Sequence, residues 1–121
     1  MAGCEPWDVV RVPFPYTDRP VRQWRPAVVV AAGHLAATHG LLWVLMVTSA
    51  DNRRWSDDVP VSDLDVAGLP APSVVRAAKI ATIEAGDAER IGTLPRTDRK
   101  KIAARLARIL KPVRTGAAVA K

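Results

Sequence analysis

Arg25 opens the apolar run Arg25-Pro26-Ala27-Val28-Val29-Val30, and Thr48-Ser49 closes the apolar run that occupies residues 41–47. A cation at the start of one stretch and two hydroxyls at the end of the next meet only if the stretches are antiparallel strands. The short link between Gly33 and Gly40 suits such a pair. A guanidinium fork beside neutral hydroxyl donors fits the oxygens of a phosphate. Taken alone, the arginine reads equally well as a strand-edge ion-pair member, and Thr48-Ser49 as the end of a strand.

Further candidates flank this pair. Trp24 precedes Arg25, Arg22 lies just before it, and Arg53, Arg54 and Trp55 follow Thr48-Ser49 closely; Arg76 ends the run Ser73-Val74-Val75-Arg76. An exposed indole beside cations stacks an unpaired base, worth about 1–3 kcal/mol, while the cations hold the backbone. Trp24 and Trp55 fit a barrel-end cap or a subunit interface equally well. Trp43, inside an apolar strand, is expected in the core, and Trp7, opening the first strand, is expected to be structural. For proton transfer the choices are His34 and His39, expected in a loop at the far end of the strand pair, and the loop residues Asp18, Asp51 and Asp57. None stands out as the base.

The elements needed to position these groups follow from the pattern. Residues 8–12 read as a strand ended by Pro13-Phe14-Pro15, and residues 16–23 as a polar loop and candidate gate. Residues 25–32 read as a second strand, and its run 27–32 is apolar at consecutive positions, as in a strand buried from both sides or in a closed barrel. Residues 41–48 form a third strand, 51–57 a charged loop, 58–61 a short strand, and 62–72 a loop or a single helical turn. Residues 73–76 and 79–83 read as two strand pieces. Thr97 and Asp98 can cap a helix with Ile102, Leu106, Ile109 and Leu110 along one face, ended by Pro112. Short strands followed by one amphipathic helix predict a mainly β fold: a small barrel with a C-terminal helix packed on it.

The 121 residues allow one domain, expected over 1–112, with a disordered tail over 113–121. Eighteen Lys and Arg against twelve Asp and Glu give a net charge of +6, which favours a polyanionic partner without naming it. Part of that charge, from Arg99 to Lys111, reads as a solvated helix face. A lone Cys4 excludes a disulfide framework and a cysteine zinc site. No signal peptide pattern opens the chain and no apolar run is long enough to span a bilayer, so a cytoplasmic protein without membrane attachment is expected.

With these pieces in order, the chain resembles the MazF and PemK (Kid) family of toxin endoribonucleases, from about Trp7 to Leu110. The resemblance rests on Asp8-Val-Val-Arg-Val-Pro-Phe-Pro-Tyr-Thr-Asp, Arg25-Pro-Ala-Val-Val-Val, Thr48-Ser49, Gly68-Leu-Pro-Ala-Pro-Ser-Val-Val-Arg76, Ile80-Ala-Thr-Ile and Ile91-Gly-Thr-Leu in that order. It implies an SH3-like barrel of the PemK/CcdB type and a homodimer. It also implies metal-independent, sequence-specific cleavage of single-stranded RNA with no cofactor, and a cognate antitoxin whose acidic, flexible C-terminal segment covers the RNA site. Arg25 and Thr48 match the family's catalytic arginine and hydroxyl; Ser49, Trp24, Arg22, Arg53, Arg54, Trp55 and Arg76 are the expected RNA-binding residues.

One departure bears on mechanism. The PemK branch carries a carboxylate two positions after the arginine matching Arg76, where this chain has Ala78, and Ala81 replaces a second arginine. Two other readings therefore stand beside the ribonuclease: a weakened member that binds RNA or antitoxin without cleavage, and a dimeric DNA-binding regulator.

Overall fold

In a computed structural model, residues 3–15 and 22–113 are described, the side chains of Pro15 and Arg22 excepted. The consecutive apolar residues of the second strand are buried on both faces, as their pattern requires. Val28 packs with Val9, Leu45 and Val75 in one core, whereas Ala27 and Val29 pack with Val10, Val12 and Val44 in another. The strands are β1 (Asp8–Pro15), β2 (Arg22–Ala31), β3 (Leu41–Ser49), β4 (Asp58–Pro60), β5 (Ser73–Glu84) and β6 (Glu89–Thr93). They form one antiparallel sheet in the order β4-β5-β3-β2-β1-β6. Three register shifts bend it into the SH3-like arrangement, although the sheet stays open with β4 and β6 as edges.

The largest shift lies between β3 and β5. Leu45 pairs with Ile80 but the next residue, Met46, pairs with Arg76, so residues 77–79 are extra on β5. The two strand pieces read from the sequence are thus one strand with a bend, and Ala78 falls inside the bend. The C-terminal helix (Arg96–Ile109) covers the first core by burying Ile102 and packing Leu106 against it. Ile109 and Leu110, expected on the same buried face, remain exposed. Pro112 sits in a final 3-10 turn, Lys111–Val113; the rest of the expected tail, 114–121, lies outside the described residues.

Several local expectations are corrected. Residues 33–40, read as a loop between two glycines, contain helix α1 (Gly33–His39). The Leu35-Ala36-Ala37 segment favours a helix, and Gly40 ends it in the left-handed conformation, its amide bonded to the Ala36 carbonyl. A second short helix, α2 (Leu64–Ala67), follows β4, and the C-terminal helix is α3. Asp98 does not cap α3, which starts after Pro95; it is buried in the first turn and accepts hydrogen bonds from Ser62 N (2.8 Å) and Ser62 Oγ (3.1 Å). The helix start is thereby tied to the chain leaving β4. Trp43 is 45% exposed rather than in the core, because it lies two residues before Leu45, the first β3 residue of that face to enter the core. Trp7 is structural as expected: it packs on the first core and takes a positive φ of 76°, with its amide bonded to Val29 O and its carbonyl receiving Leu94 N.

Two glycines allow a backbone-on-backbone contact beside the site. A Cβ on Gly68, which follows α2 at φ 74°, would lie 2.0 Å from the Ile91 carbonyl oxygen. A Cβ on Gly92 would lie 2.3 Å from the Ala67 carbonyl carbon. Side chains at either position would push β6 away from the turn that leads into residues 69–73.

Candidate functional site

The β2–β3 register sets Ala27 opposite Met46, and continuing it by two residues brings Arg25 across from Thr48. Both border a cleft of about 390 Å³, together with Trp24 and Ser49. Its opposite wall is the segment after Gly68, with Leu69 and Pro70 among its apolar contacts. Arg25 and Thr48 also border a second, smaller cleft of about 50 Å³ that contains Arg76 and Lys79. The pair that sequence spacing singled out therefore stands on the ridge between two clefts, the larger mostly apolar and the smaller more basic.

Trp24 is 54% exposed, and the Arg11 guanidinium lies 5.2 Å from its ring centroid. Arg11 pairs with Pro26 and Pro13 with Trp24, so the cation and the indole are diagonal neighbours across β1 and β2. This contact stiffens the indole with a cation that is already shared with Glu89 (2.9 Å). On the other side, Asn52 donates its side-chain Nδ2–H to Thr48 Oγ1. Ser49 closes the turn: its Oγ accepts from Asp51 N at 3.1 Å, and its carbonyl accepts from Asn52 N at 3.1 Å.

Trp55, Arg53 and Arg54 lie in the loop after β3 and do not border the larger cleft. Arg76 organises that loop. Its Nε and Nη2 donate to the two carboxylate oxygens of Asp58 (3.1 and 3.0 Å), Nη2 also reaches the Arg53 carbonyl (2.7 Å), and the guanidinium stacks 4.2 Å from the Trp55 ring centroid. Asp58 accepts a further bond from Trp55 N at 2.9 Å. The loop is gripped from a second side by α3, where Arg105 and Arg108 both meet Asp57. The side chain of Arg22 lies outside the described residues, as do residues 16–21 of the expected gate.

The candidate bases separate on geometry. His34 and His39 are exposed on α1 with ring centroids 6.1 Å apart, and neither borders either cleft. Asp57 is committed to the two arginines, Asp51 is exposed at the turn, and Asp18 lies outside the described residues. Neither cleft is bordered by a described carboxylate or imidazole. Among the described residues no group of three His, Cys, Asp or Glu is placed to hold a metal ion. Cys4 borders a different cavity beside Asp8 and Arg90; burial, followed by the Asp8 charge, raises its thiol pKa above the ordinary value.

Asn52, Arg11, Lys79 and the wall at residues 69–72 were not expected at the site from the sequence. Asn52 carried a signal, a turn-forming amide four residues after Thr48; Arg11 and Lys79 carried none beyond charge, because only the strand register places them here.

Residues 5–110 match the family model described as PemK-like, MazF-like toxin of type II toxin-antitoxin system. No curated protein matches the chain in sequence. The fold is similar to that in the MazE–MazF complex (Form-III) of Deinococcus radiodurans, with a TM-score of 0.73 at 18% identity over 91% of this chain and 98% of that one. It is also similar to the Mycobacterium tuberculosis toxin MazF-mt6 (TM-score 0.64, 22% identity, 85% and 96% covered). A third likeness is to an endoribonuclease in complex with its cognate antitoxin from a mycobacterial species (TM-score 0.68, 19% identity, 88% and 93% covered).

Proposed function

Since the chain belongs to the PemK-like, MazF-like toxins of type II toxin–antitoxin systems, we propose that it is a metal-independent endoribonuclease that cuts single-stranded mRNA in the cytoplasm and arrests growth. The observation that carries this reading is the shared position of Arg25 and Thr48 between two clefts. In such a reaction the nucleotide's own 2′-hydroxyl attacks the adjacent phosphorus and gives up its proton to solvent water, and the 5′-oxygen leaves and takes a proton from water, since neither cleft is bordered by a described carboxylate or imidazole. Arg25 stabilises the charge that builds on the phosphorane and donates a hydrogen bond toward the leaving oxygen while keeping its proton; its charge interacts more strongly with the phosphorane than with the ground-state diester. Thr48 donates to a phosphate oxygen and keeps attacking and leaving oxygens in line, with Ser49 adding a second donor. Arginine stays protonated near neutrality and is not the base.

Trp24 offers an exposed face for a base, and Trp55 a second, backed by Arg76. Arg22, Arg53 and Arg54 serve the phosphates on either side. The larger cleft, apolar with arginines at its rim, also suits the acidic and hydrophobic C-terminal segment of a cognate antitoxin, and the active form is a homodimer. No helix among the described residues is long and apolar enough to cross a membrane.

The test is incubation of a long single-stranded RNA with the purified protein in EDTA, beside Arg25→Ala, with the fragment 5′ ends mapped. Discrete cuts at a repeated short sequence, lost in Arg25→Ala, are expected. A variant that still cuts at the same sites refutes the role of Arg25. One observation favours a second reading, a member that binds RNA or antitoxin without cutting: Ala78 occupies the bend where the PemK pattern has a carboxylate. Salt-sensitive RNA binding with intact RNA at every protein concentration is its signature.

A further inference from the structure

The hydroxyl of Thr48 has one proton and two lone pairs, and which of these faces the substrate decides what it can do there. Asn52 fills one lone pair: its side-chain Nδ2–H donates to Thr48 Oγ1. The hydroxyl proton cannot return along the same contact and is available to an acceptor in the cleft that Thr48 borders with Arg25. Accepting a hydrogen bond also polarises the O–H and makes it a better donor. We infer that Asn52 is a positioning residue for RNA cleavage, fixing Thr48 as a proton-bearing donor to a phosphate oxygen; this rests on the function proposed above.

The position of Asn52 makes the idea separable from a fold effect. The turn that carries it is held by other bonds, from Asp51 N to Ser49 Oγ and from Asn52 N to the Ser49 carbonyl, which do not use the Asn52 side chain. Asn52 is exposed and borders neither cleft, and its link to the clefts is the hydrogen bond to the Thr48 hydroxyl, so a direct contact with RNA and an effect through that hydroxyl are told apart by removing the hydroxyl. A carboxylate at the same place would do the reverse. Asp is an acceptor only, so the Thr48 proton would turn toward it and present a lone pair to the phosphate.

The experiment is a double-mutant cycle on cleavage of a defined RNA oligonucleotide, with kcat and KM measured for the wild-type protein, Asn52→Ala, Thr48→Val and the double variant. Thermal melting serves to establish that each is folded. Asn52→Ala is expected to lower kcat about tenfold with KM nearly unchanged, the size of one hydrogen-bond effect on a transition state. In the Thr48→Val background the same change is expected to cost nothing further. Asn52→Asp is expected to be slower than Asn52→Ala. The inference is overturned if Asn52→Ala cleaves at the wild-type rate, if its loss is equally large without the Thr48 hydroxyl, or if Asn52→Asp is as fast as the wild type. Failure of the underlying reading looks different: wild-type protein that leaves the RNA intact, or Thr48→Val with full activity, removes both together.

Discussion

Replacing Arg76 with alanine should destabilise the fold by about 3–5 kcal/mol, the cost of leaving one member of a buried ion pair alone. The Asp58 side chain is only 1% exposed and that of Arg76 11%, so water entering from the smaller cleft would replace the guanidinium's paired bonds only in part. Asp58 would lose both of its arginine donors and keep only the Trp55 amide. The Arg53 carbonyl would lose its 2.7 Å partner and Trp55 the cation stacked on its ring. Against a total stability on the order of 5–15 kcal/mol for a domain of this kind, that is a large fraction. Urea unfolding followed by tryptophan fluorescence reads it directly as a drop in midpoint at constant slope. Replacing both partners by apolar residues of similar size, Asp58→Leu with Arg76→Met, should recover most of the loss, because no charge is then left buried. A single-variant loss under about 1 kcal/mol would place this pair with ordinary surface ion pairs and refute the reasoning. RNA binding by the same variant adds a second readout. If Arg76 serves by holding Trp55 and Arg53, affinity falls while the dependence on salt stays as it was; a slope reduced by about one would mean that Arg76 itself neutralises a phosphate.

Three further outcomes follow from other parts of the fold. Gly92→Ala puts a methyl within 2.3–2.4 Å of the Ala67 carbonyl group, so it should cost at least about 2 kcal/mol in urea unfolding and also slow RNA cleavage by moving the turn at Gly68. Asp98→Ala removes the acceptor for Ser62 N and Oγ at a residue 1% exposed, with an expected loss of about 1–3 kcal/mol, while Asp98→Asn, which keeps one acceptor oxygen, should lose less. The raised Cys4 thiol keeps its proton in the folded protein to a higher pH than in the unfolded chain. Its contribution to stability is therefore complete below the unfolded thiol's pKa and declines as the pH rises through that range toward the folded value. At about pH 8, near the ordinary thiol range, iodoacetamide should label Cys4 more slowly in the folded protein than in urea, and equal rates would contradict the shift.

Five of the six strands and the proximity of Arg25 and Thr48 were legible because they depend on local pattern, whereas β6 (Glu89–Thr93), whose apolar residues are few, was not read as a strand. Continuous apolar residues in β2 demanded burial on both faces, and polar groups at the strand ends marked where Arg25 and Thr48 would meet. What escaped depended on register or on competition between local signals. Gly33 and Gly40 resemble the two ends of a turn, yet they bracket a helix of seven residues, too short for an apolar period to show. Trp43 looked buried because its neighbours are apolar, yet burial of a strand residue is decided by what covers its face, which lies far away in sequence. Asp98 matched a cap by type and place, but the Ser62 amide lies within 2.8 Å and takes the carboxylate into the core. Arg76 matched a phosphate ligand by type, and its partner Asp58 became visible only through the pairing of β4 with β5.

The same distinction applies to the net charge. A formal +6 suggests a broad basic surface, yet much of the arginine is already engaged within the protein, most of it at the surface: Arg11 with Glu89, Arg76 with Asp58, Arg90 with Asp8, Arg105 and Arg108 with Asp57, and Arg99 with the Leu94 carbonyl and the Thr93 hydroxyl. Several of these pairs hold the loop that carries Arg53, Arg54 and Trp55, so charge acts twice, once in shaping the surface and once in presenting it. The two roles respond differently to salt. The Arg76–Asp58 pair is buried and should persist, whereas the contact of Arg108 with Asp57 is two-thirds exposed on the arginine side and should weaken. The RNA binding proposed above should therefore respond to added salt by two routes: directly through screening of the phosphates, and indirectly through release of the α3 side of the loop while its Arg76 side stays fixed.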